Sequence, residues 1–253
     1  MTRAAQNLLL IVLGAAVVWI TLVTDEYLNY VKPGFRPLLA ASAVAVIALG
    51  AVGLRREWRD SPDDAHQEHQ GHRETHDDGH GHDHGRGPRV AWLLCLPALA
   101  IFVIAPPALG SFTAERDTDR VAAPPPPPAE GFGRLVPTGR PVDMTMGEFI
   151  GRSFETQSGL SNGLPDVQVR LTGFVGAARD GGWRLTRLKM SCCAGDAIPF
   201  QVTVHGPARP SKGAWVSVVG TWMPPRAPDP AGGAHDLRGL AVQPVKKPKN
   251  PYE

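Results

Sequence analysis

Apolar residues form three long blocks in the first half of the chain, and an alternating pattern of apolar and polar residues follows in the second half. The blocks at 4–24, 37–54 and 90–114 contain 21, 18 and 25 residues without a charged side chain. With a rise of about 1.5 Å per residue, helices of these lengths cross the roughly 30 Å hydrocarbon core of a bilayer. The pattern predicts three transmembrane helices, two in a first domain at 1–54 and one at 90–114.

Each block has a competing interpretation. The second is the shortest and is compatible with a buried helix of a soluble protein. The first is preceded by Arg3, as in a signal peptide, but its end at 21–25 has no small-x-small cleavage site, which favours an uncleaved anchor. The third contains Pro97, Pro106 and Pro107, which can kink a helix or end it early.

The distribution of basic residues predicts the orientation. The loop 55–89 carries six arginines, whereas the connection after the first block has only Lys32 and Arg36. Because Lys and Arg accumulate in cytoplasmic loops, the N-terminus and the loop 55–89 are expected in the cytoplasm. The protein is then a multi-pass cell-membrane protein whose C-terminal domain is extracytoplasmic.

The apolar blocks contain no Asp, Glu, Lys, Arg or His. Ion and proton pathways are normally lined by such residues, which pair with one another inside a helix bundle. The blocks are therefore expected to be anchors in the lipid bilayer, unless a partner subunit supplies a pathway.

The loop 55–89 contains seven of the nine histidines of the chain. Their spacings of three and four, and later of two, allow several imidazoles to surround one ion. Zinc or another divalent transition metal is the expected ligand, since neutral imidazole binds zinc, nickel and copper ions. The alternative is a solvated low-complexity linker whose histidines bind metal weakly. The candidate ligands are His66, His69, His72, His76, His80, His82 and His84.

The second half of the chain predicts a spacer and then a folded domain. A proline-rich linker at 115–141, with five consecutive prolines, is expected to be stiff and extended. In the domain at 142–245, Thr145 and Glu148 have capping-box spacing and predict a short helix. Five short strands with period-two alternation follow. The predicted fold class is α+β, with transmembrane helices before a small antiparallel OB-like barrel, and 246–253 forms a tail.

Two adjacent cysteines, Cys192 and Cys193, lie in the strand-rich region. Neighbouring side chains on a strand point to opposite faces, and a disulfide between them would require a strained ring, so none is expected. Three interpretations stay open: buried packing residues, a metal site in which Cys192 or Cys193 joins Asp196 with or without His205, or a reactive thiol. Cys95 lies in the third apolar block and is expected to be buried in the membrane.

Composition and motifs exclude several classes of protein. A formal net charge of +2 excludes a strongly basic nucleic-acid binder, so no nucleic-acid partner is expected. Three cysteines are too few for a disulfide-stapled miniprotein. The chain has no Walker A loop, no Gly-x-Gly-x-x-Gly, no Gly-x-Ser-x-Gly and no His-Glu-x-x-His, and it is not expected to be an enzyme.

Several of these segments together resemble one family over nearly the whole chain. They are the Tyr-Val-Lys-Pro turn at 30–33, the His-rich loop and the stretches 173–175, 185–197 and 213–220. On these residues the chain is similar to the YcgQ-like bacterial membrane proteins. The family has Cys-Cys-Ala-Ala-Asp-Ala where this chain has Gly195 at the second Ala. It also often has His where this chain has Lys32, so the turn is not expected to supply a ligand.

The resemblance implies a subunit of a two-component permease that pairs with a larger multi-span permease subunit. We therefore expect a membrane-anchored accessory subunit connected with divalent metal handling. The alternative is a standalone envelope protein that binds metal or acts through its thiols without a role in transport.

Overall fold

The computed structural model describes most of the chain before residue 60 and after residue 130. The described residues are 3–59, 109–110, 131–179, 181–225 and 234–253. The His-rich loop with its seven histidines, Cys95, the five consecutive prolines and nearly all of the predicted third helix lie outside them. Leu109 and Gly110 are described and are not helical, just after the prolines at 106 and 107.

The expected α+β class is confirmed, with apolar helices first and a β-sheet after them. The chain divides into two compact units. One consists of Met1–Glu26 and Gly34–Pro107, and the other consists of Tyr27–Pro33 and Ala108–Glu253. A short piece of the N-terminal region therefore belongs to the C-terminal unit.

Two long helices form the described part of the first unit. Helix α1 covers Arg3–Val18 and continues as a short π-helical segment, Trp19–Val23, while α2 covers Arg36–Arg59. Both are long and apolar enough to cross a membrane, with a mean hydropathy of 2.2. Only 11 % of the residues in each apolar stretch are buried, which is unlike the core helix of a soluble protein.

Glycines allow α1 and α2 to approach each other closely. A Cβ added at Gly14 would lie 2.5 Å from Cγ1 of Ile47, and one added at Gly50 would lie 2.7 Å from the carbonyl oxygen of Asn7. Small residues at such positions let helix backbones pack closely where burial from water does not drive association.

Helix α3, Met146–Gln157, opens the folded domain of the second unit. It begins as the sequence predicts, since the hydroxyl of Thr145 accepts the backbone N–H of Glu148 at 3.0 Å. Only this half of the predicted capping box forms, because the Glu148 carboxylate instead accepts from Nε of Arg152 at 2.8 Å. The first N–H groups of α3 are satisfied by a carboxylate from far along the chain. Met146 and Gly147 donate to Oε1 and Oε2 of Glu253 at 2.8 and 2.9 Å.

Six strands follow the order β1-β2-β3-β4-β6-β5 in one sheet. They are β1 Val142–Asp143, β2 Gln168–Arg179, β3 Gly182–Lys189, β4 Ile198–His205, β5 Trp215–Met223 and β6 Asp236–Pro244. The β1–β2 and β4–β6 pairs are parallel, and the other pairs are antiparallel.

The long strand β2 pairs with a different partner along each of its halves. Gln168–Phe174 pairs with β5, and the second half, from Phe174, pairs with β3. Gly173 lies where the partner changes, and a Cβ there would be 2.5 Å from the carbonyl oxygen of Thr186. With this extra pairing, each of the five long strands pairs with two of the other four.

The main core lies between the strands and α3. Alternate strand residues point into it, as the period-two pattern predicts, and α3 contributes residues spaced three and four apart. The helix that packs on this core is α3, which precedes the long strands. The segment 206–214 between β4 and β5 is not helical. Its buried residues include Met146, Phe149, Ile150, Leu164, Val169, Leu171, Trp183, Leu185, Phe200, Val202, Val204, Val216, Val218 and Leu237.

Candidate metal and thiol site

The two adjacent cysteines lie in a loop between β3 and β4, and not on a strand as the alternating pattern around them indicates. Both ends of this loop are held by a second apolar cluster, to which Met190 and Ala197 contribute together with Leu188 and Tyr252. The middle of the loop turns through a 3₁₀ segment, Ala194–Asp196. Buried ends and an exposed middle hold the thiols at the surface in a defined position.

Asp196 organises the loop. Its Oδ1 accepts the backbone N–H of Ser191 at 2.9 Å, and its Oδ2 accepts that of Cys192 at 2.7 Å. A hydrogen bond from the Cys192 thiol, with further support from backbone N–H groups, holds the pKa of Asp196 below its usual value. The carboxylate is therefore charged and oriented at neutral pH.

The two thiols lie side by side with their Sγ atoms 3.5 Å apart. Both cysteines are free and exposed, so the interpretation as buried packing residues is wrong. The hydrogen bond to Asp196, and after it the contact with Cys193, raises the pKa of Cys192 to about 11. Because the thiolate is the nucleophile, this raised pKa disfavours the reactive-thiol interpretation for Cys192.

The connection between α1 and α2 forms one wall of the site. The backbone N–H of Lys32 donates to the carbonyl of Cys192 at 3.1 Å, and that of Ala194 donates to the carbonyl of Tyr30 at 2.7 Å. Val31 lies opposite Cys193 in this short antiparallel bridge. No periodicity in the sequence predicts pairing between segments so far apart. The one indication of it in the sequence was that the turn 30–33 and the stretch 185–197 both resemble the same family.

Tyr252 fixes the same connection from its other end. Its hydroxyl donates to the carbonyl of Asn29 at 2.9 Å and accepts the backbone N–H of Leu109 at 3.1 Å. Burial raises the pKa of Tyr252, so the phenol stays protonated and able to donate. One side chain thus joins three segments that are distant in sequence.

The structure separates His205 from the other predicted ligands. His205 lies at the end of β4 opposite to the cysteine loop, where its Nδ1 is 2.9 Å from the carbonyl of Gly181 and its Nε2 is 3.4 Å from Oδ2 of Asp236. The version of the site that includes His205 is therefore wrong, and the version with Asp196 alone stays a prediction. Among the described residues, Cys192, Cys193 and Asp196 remain together, with ligand atoms within 4.8 Å of one another.

A second candidate is a cavity of about 820 Å³ beside α3. Basic side chains, including Arg152, Arg187 and Lys189, line it together with Phe200. Its strongest anion-binding element, the N-terminus of α3, already binds the carboxylate of Glu253. Glu253 thus already occupies the helix N-terminus at which an external anion would bind in this cavity.

Part of the chain is similar to one known domain. Residues 6–118 match the DUF1980 N-terminal domain, which is consistent with the YcgQ-like resemblance. A search of curated proteins finds no match.

Two solved structures show weak similarity. The S. pombe Stn1–Ten1 complex has 15 % identity, a TM-score of 0.23 and coverage of 43 % of this chain and 79 % of that one. The telomere capping protein Ten1 from Saccharomyces pombe has 16 % identity, a TM-score of 0.22 and coverage of 42 % and 81 %. At these scores the similarity supports no conclusion about function.

Proposed function

We propose that this protein is a membrane-anchored accessory subunit of a two-component permease. The observation that carries the proposal is the surface of α1 and α2, which is apolar, uncharged and exposed. Leu8 and Val12 on α1 are each 57 % exposed, and Leu49 on α2 is 67 % exposed. Such surfaces require lipid or the helices of a partner around them.

The helices are suited to anchoring and not to conduction. Neither apolar stretch carries an ionisable side chain that could line a pathway for ions or protons. The close contact through Gly14 and Gly50 also leaves little space between α1 and α2. A transport pathway must therefore come from a larger multi-span partner, as the family resemblance implies.

Three membrane spans are proposed because of the contact between Tyr27–Pro33 and the cysteine loop. This connection follows the first span, and it pairs with a domain that follows residue 142. Segments that pair directly lie on the same side of a membrane, so an even number of spans must separate them. Helix α2 supplies one, and the apolar block 90–114 supplies the other.

The orientation follows from the basic loop 55–89. With that loop in the cytoplasm, the Tyr27–Pro33 connection and the C-terminal domain are extracytoplasmic. The seven histidines then face the cytoplasm, where we propose that they bind zinc or a similar divalent ion. The cysteine loop faces the outside.

The C-terminal domain is proposed to be an OB-like barrel. The five long strands form a continuous cycle of pairings, β2-β3-β4-β6-β5-β2, in which the one parallel pair is β4–β6. A five-stranded barrel with a bent first strand and this order is the OB arrangement. On the outer face, the domain would cap the mouth of the permease or present substrate to it.

The second candidate is a standalone envelope protein that binds metal or acts through its thiols. The exposed side-by-side thiols of Cys192 and Cys193 favour it. Under this candidate, replacing both cysteines by serine abolishes the activity. Under the accessory-subunit proposal, transport by the complex depends first on docking of the helices.

Purification from native membranes tests the proposal. We expect the protein to copurify with a multi-span protein, and vesicles that contain both proteins to transport a solute that vesicles with either one alone do not. A double variant with Leu8→Trp and Leu49→Trp enlarges two exposed side chains on the helix surface. Lipid accommodates such an enlargement, whereas a packed protein interface does not. It should insert normally and lose the partner. Transport by vesicles that contain only this protein would refute the proposal.

A further inference from the structure

The cysteine loop places three metal-binding groups within reach of one ion. The ligand atoms of Cys192, Cys193 and Asp196 lie within 4.8 Å of one another, and the two sulfurs are 3.5 Å apart. Two sulfurs bound to one tetrahedral zinc ion, each at about 2.3 Å, are separated by about 3.8 Å. The observed separation thus needs little change to hold an ion.

We propose that Cys192, Cys193 and Asp196 bind a thiophilic divalent cation of the zinc class. This site is distinct from the His-rich loop, and it stands independently of any permease partner. Two thiolates and one carboxylate would neutralise the ion and leave one additional charge of −1. The two thiol protons are released to solvent when the ion binds.

The hydrogen bonds of Asp196 support a ligand role. Oδ1 accepts the backbone N–H of Ser191 and Oδ2 accepts that of Cys192, and the Cys192 thiol also donates to the carboxylate. When the thiol proton leaves on ion binding, the lone pair that accepted it can face the ion. Such outer hydrogen bonds orient a ligating carboxylate before the ion arrives. The loop thus needs only a small shift of the carboxylate toward the sulfurs.

Access and selectivity also fit a thiophilic ion. Both cysteines are exposed and Asp196 is half-buried, so an ion reaches the sulfurs from solvent without any opening of the fold. Paired sulfur ligands favour zinc and similar ions over magnesium and calcium, which prefer oxygen ligands. A site with three protein ligands leaves a fourth position for water or for a group of another molecule.

The neighbouring connection offers a place to complete the site. Residue 32 lies opposite Cys192 in the antiparallel bridge, because residue 31 lies opposite Cys193. Directly opposed residues share a face of the pairing, so a side chain at position 32 lies on the same face as the Cys192 side chain. Lysine has no lone pair to donate when protonated, but histidine does. Lys32→His should therefore add a ligand and tighten binding.

Cobalt binding to the full-length reduced protein in detergent tests the inference. Thiolate ligands give cobalt an intense near-ultraviolet charge-transfer band, whereas the imidazoles of the His-rich loop do not. We expect this band to saturate at one cobalt ion per chain, and zinc to abolish it by displacement. Cys192→Ser and Cys193→Ser should each weaken the band, and the double variant should lose it. Absence of the band, or its persistence in the double variant, would overturn the inference.

Three further variants separate ligation from structural effects. Cys95→Ser is the matched control and should leave the band unchanged. Asp196→Asn keeps one accepting oxygen for the loop but removes the charge, and it should weaken cobalt binding by about tenfold or more. Lys32→His should strengthen it. Unchanged affinity in both Asp196→Asn and Lys32→His would contradict the assigned ligand set, even if the protein copurifies with a permease.

Discussion

The carboxylate of Asp196 accepts the backbone N–H of Cys192 at 2.7 Å and thereby fixes a negative charge beside an exposed thiol. The hydrogen bond between the Cys192 thiol and Asp196, and after it the one with Cys193, raises the pKa of Cys192 to about 11. A thiol at the surface of a protein is often taken to be reactive. Here, the hydrogen bond to the neighbouring carboxylate keeps the thiol protonated at neutral pH.

Removing that charge should make Cys192 more reactive. In Asp196→Asn the main cause of the raised pKa is gone, so the thiolate fraction at any pH below the original pKa increases. We expect the midpoint of the pH–rate profile for alkylation of Cys192 by iodoacetamide to move to lower pH. Mass spectrometry resolves modification at Cys192 from that at Cys193. An unchanged midpoint would show that Asp196 does not control this thiol.

Removing the Tyr252 hydroxyl should loosen the connection between α1 and α2. Tyr252→Phe leaves the carbonyl of Asn29 and the N–H of Leu109 without this partner, at a cost of about 1–3 kcal/mol. Hydrogen exchange measured by mass spectrometry should become faster in peptides that contain Tyr27–Pro33. Peptides from β5 serve as the internal control and should not change. Equal exchange in both forms would mean that the hydroxyl does not hold the connection.

Ser153 provides a test of the buried polar network around α3. Its hydroxyl accepts from Nε1 of Trp222 at 2.9 Å and from Nε2 of Gln157 at 3.1 Å, and it lies 3.0 Å from Nδ1 of His235. A hydroxyl has one hydrogen to donate, so we assign it to His235. Ser153→Ala should lower the free energy of unfolding by about 1–3 kcal/mol in thermal or chemical unfolding, whereas exposed Ser158→Ala should not. Similar losses in the two variants would contradict this role.

The close helix contact predicts a strong effect from one added methyl group. A Cβ at position 50 meets the carbonyl oxygen of Asn7 at 2.7 Å and Cγ1 of Ile11 at 2.9 Å. Gly50→Ala should therefore lower the Tm in detergent, with a cost of about 1–3 kcal/mol. Gly34→Ala is the matched control, since nothing lies within 4 Å of a Cβ there. If the two variants melt alike, α1 and α2 are not packed as described.

Labelling in intact cells tests the proposed orientation. In a Cys95→Ser background, a membrane-impermeant maleimide should modify the exposed Cys192 or Cys193 in intact cells. A cysteine introduced at Trp58, which is 75 % exposed near the end of α2, should react only after the membrane is permeabilised. The opposite result would place the C-terminal domain in the cytoplasm.

Local patterns predicted the secondary structure well because each depends on residues that are close in sequence. The strand around Val202 was visible in its period-two alternation, and the start of α3 was visible in Thr145, whose hydroxyl needs an N–H only three residues away. The end of α2 was predicted too early, at residue 54. Arginines continue the helix to Arg59, since charge ends an apolar block but not a helix.

The candidate site was only partly predictable. The chemistry of their side chains singled out Cys192, Cys193 and Asp196. The exposure of the two cysteines depends on the end of β3 at Lys189, and the apolar–polar alternation of the strand does not show that a loop begins there. His205 was grouped with them by ligand chemistry alone, although the full length of β4 separates it from them. The hydrogen bond from the backbone N–H of Lys32 to the cysteine loop was not predicted. Backbone pairing between two distant segments produces no pattern of side chains in either segment.

The bond between Tyr252 and Asn29 joins residues that are 223 positions apart. Closing so long a loop costs chain entropy that grows with the logarithm of its length, by about 0.6 kcal/mol for each doubling. This hydrogen bond can form only after the chain has been synthesised through Tyr252. The connection around Asn29 therefore waits for a residue far downstream before it is held in place beside the cysteine loop.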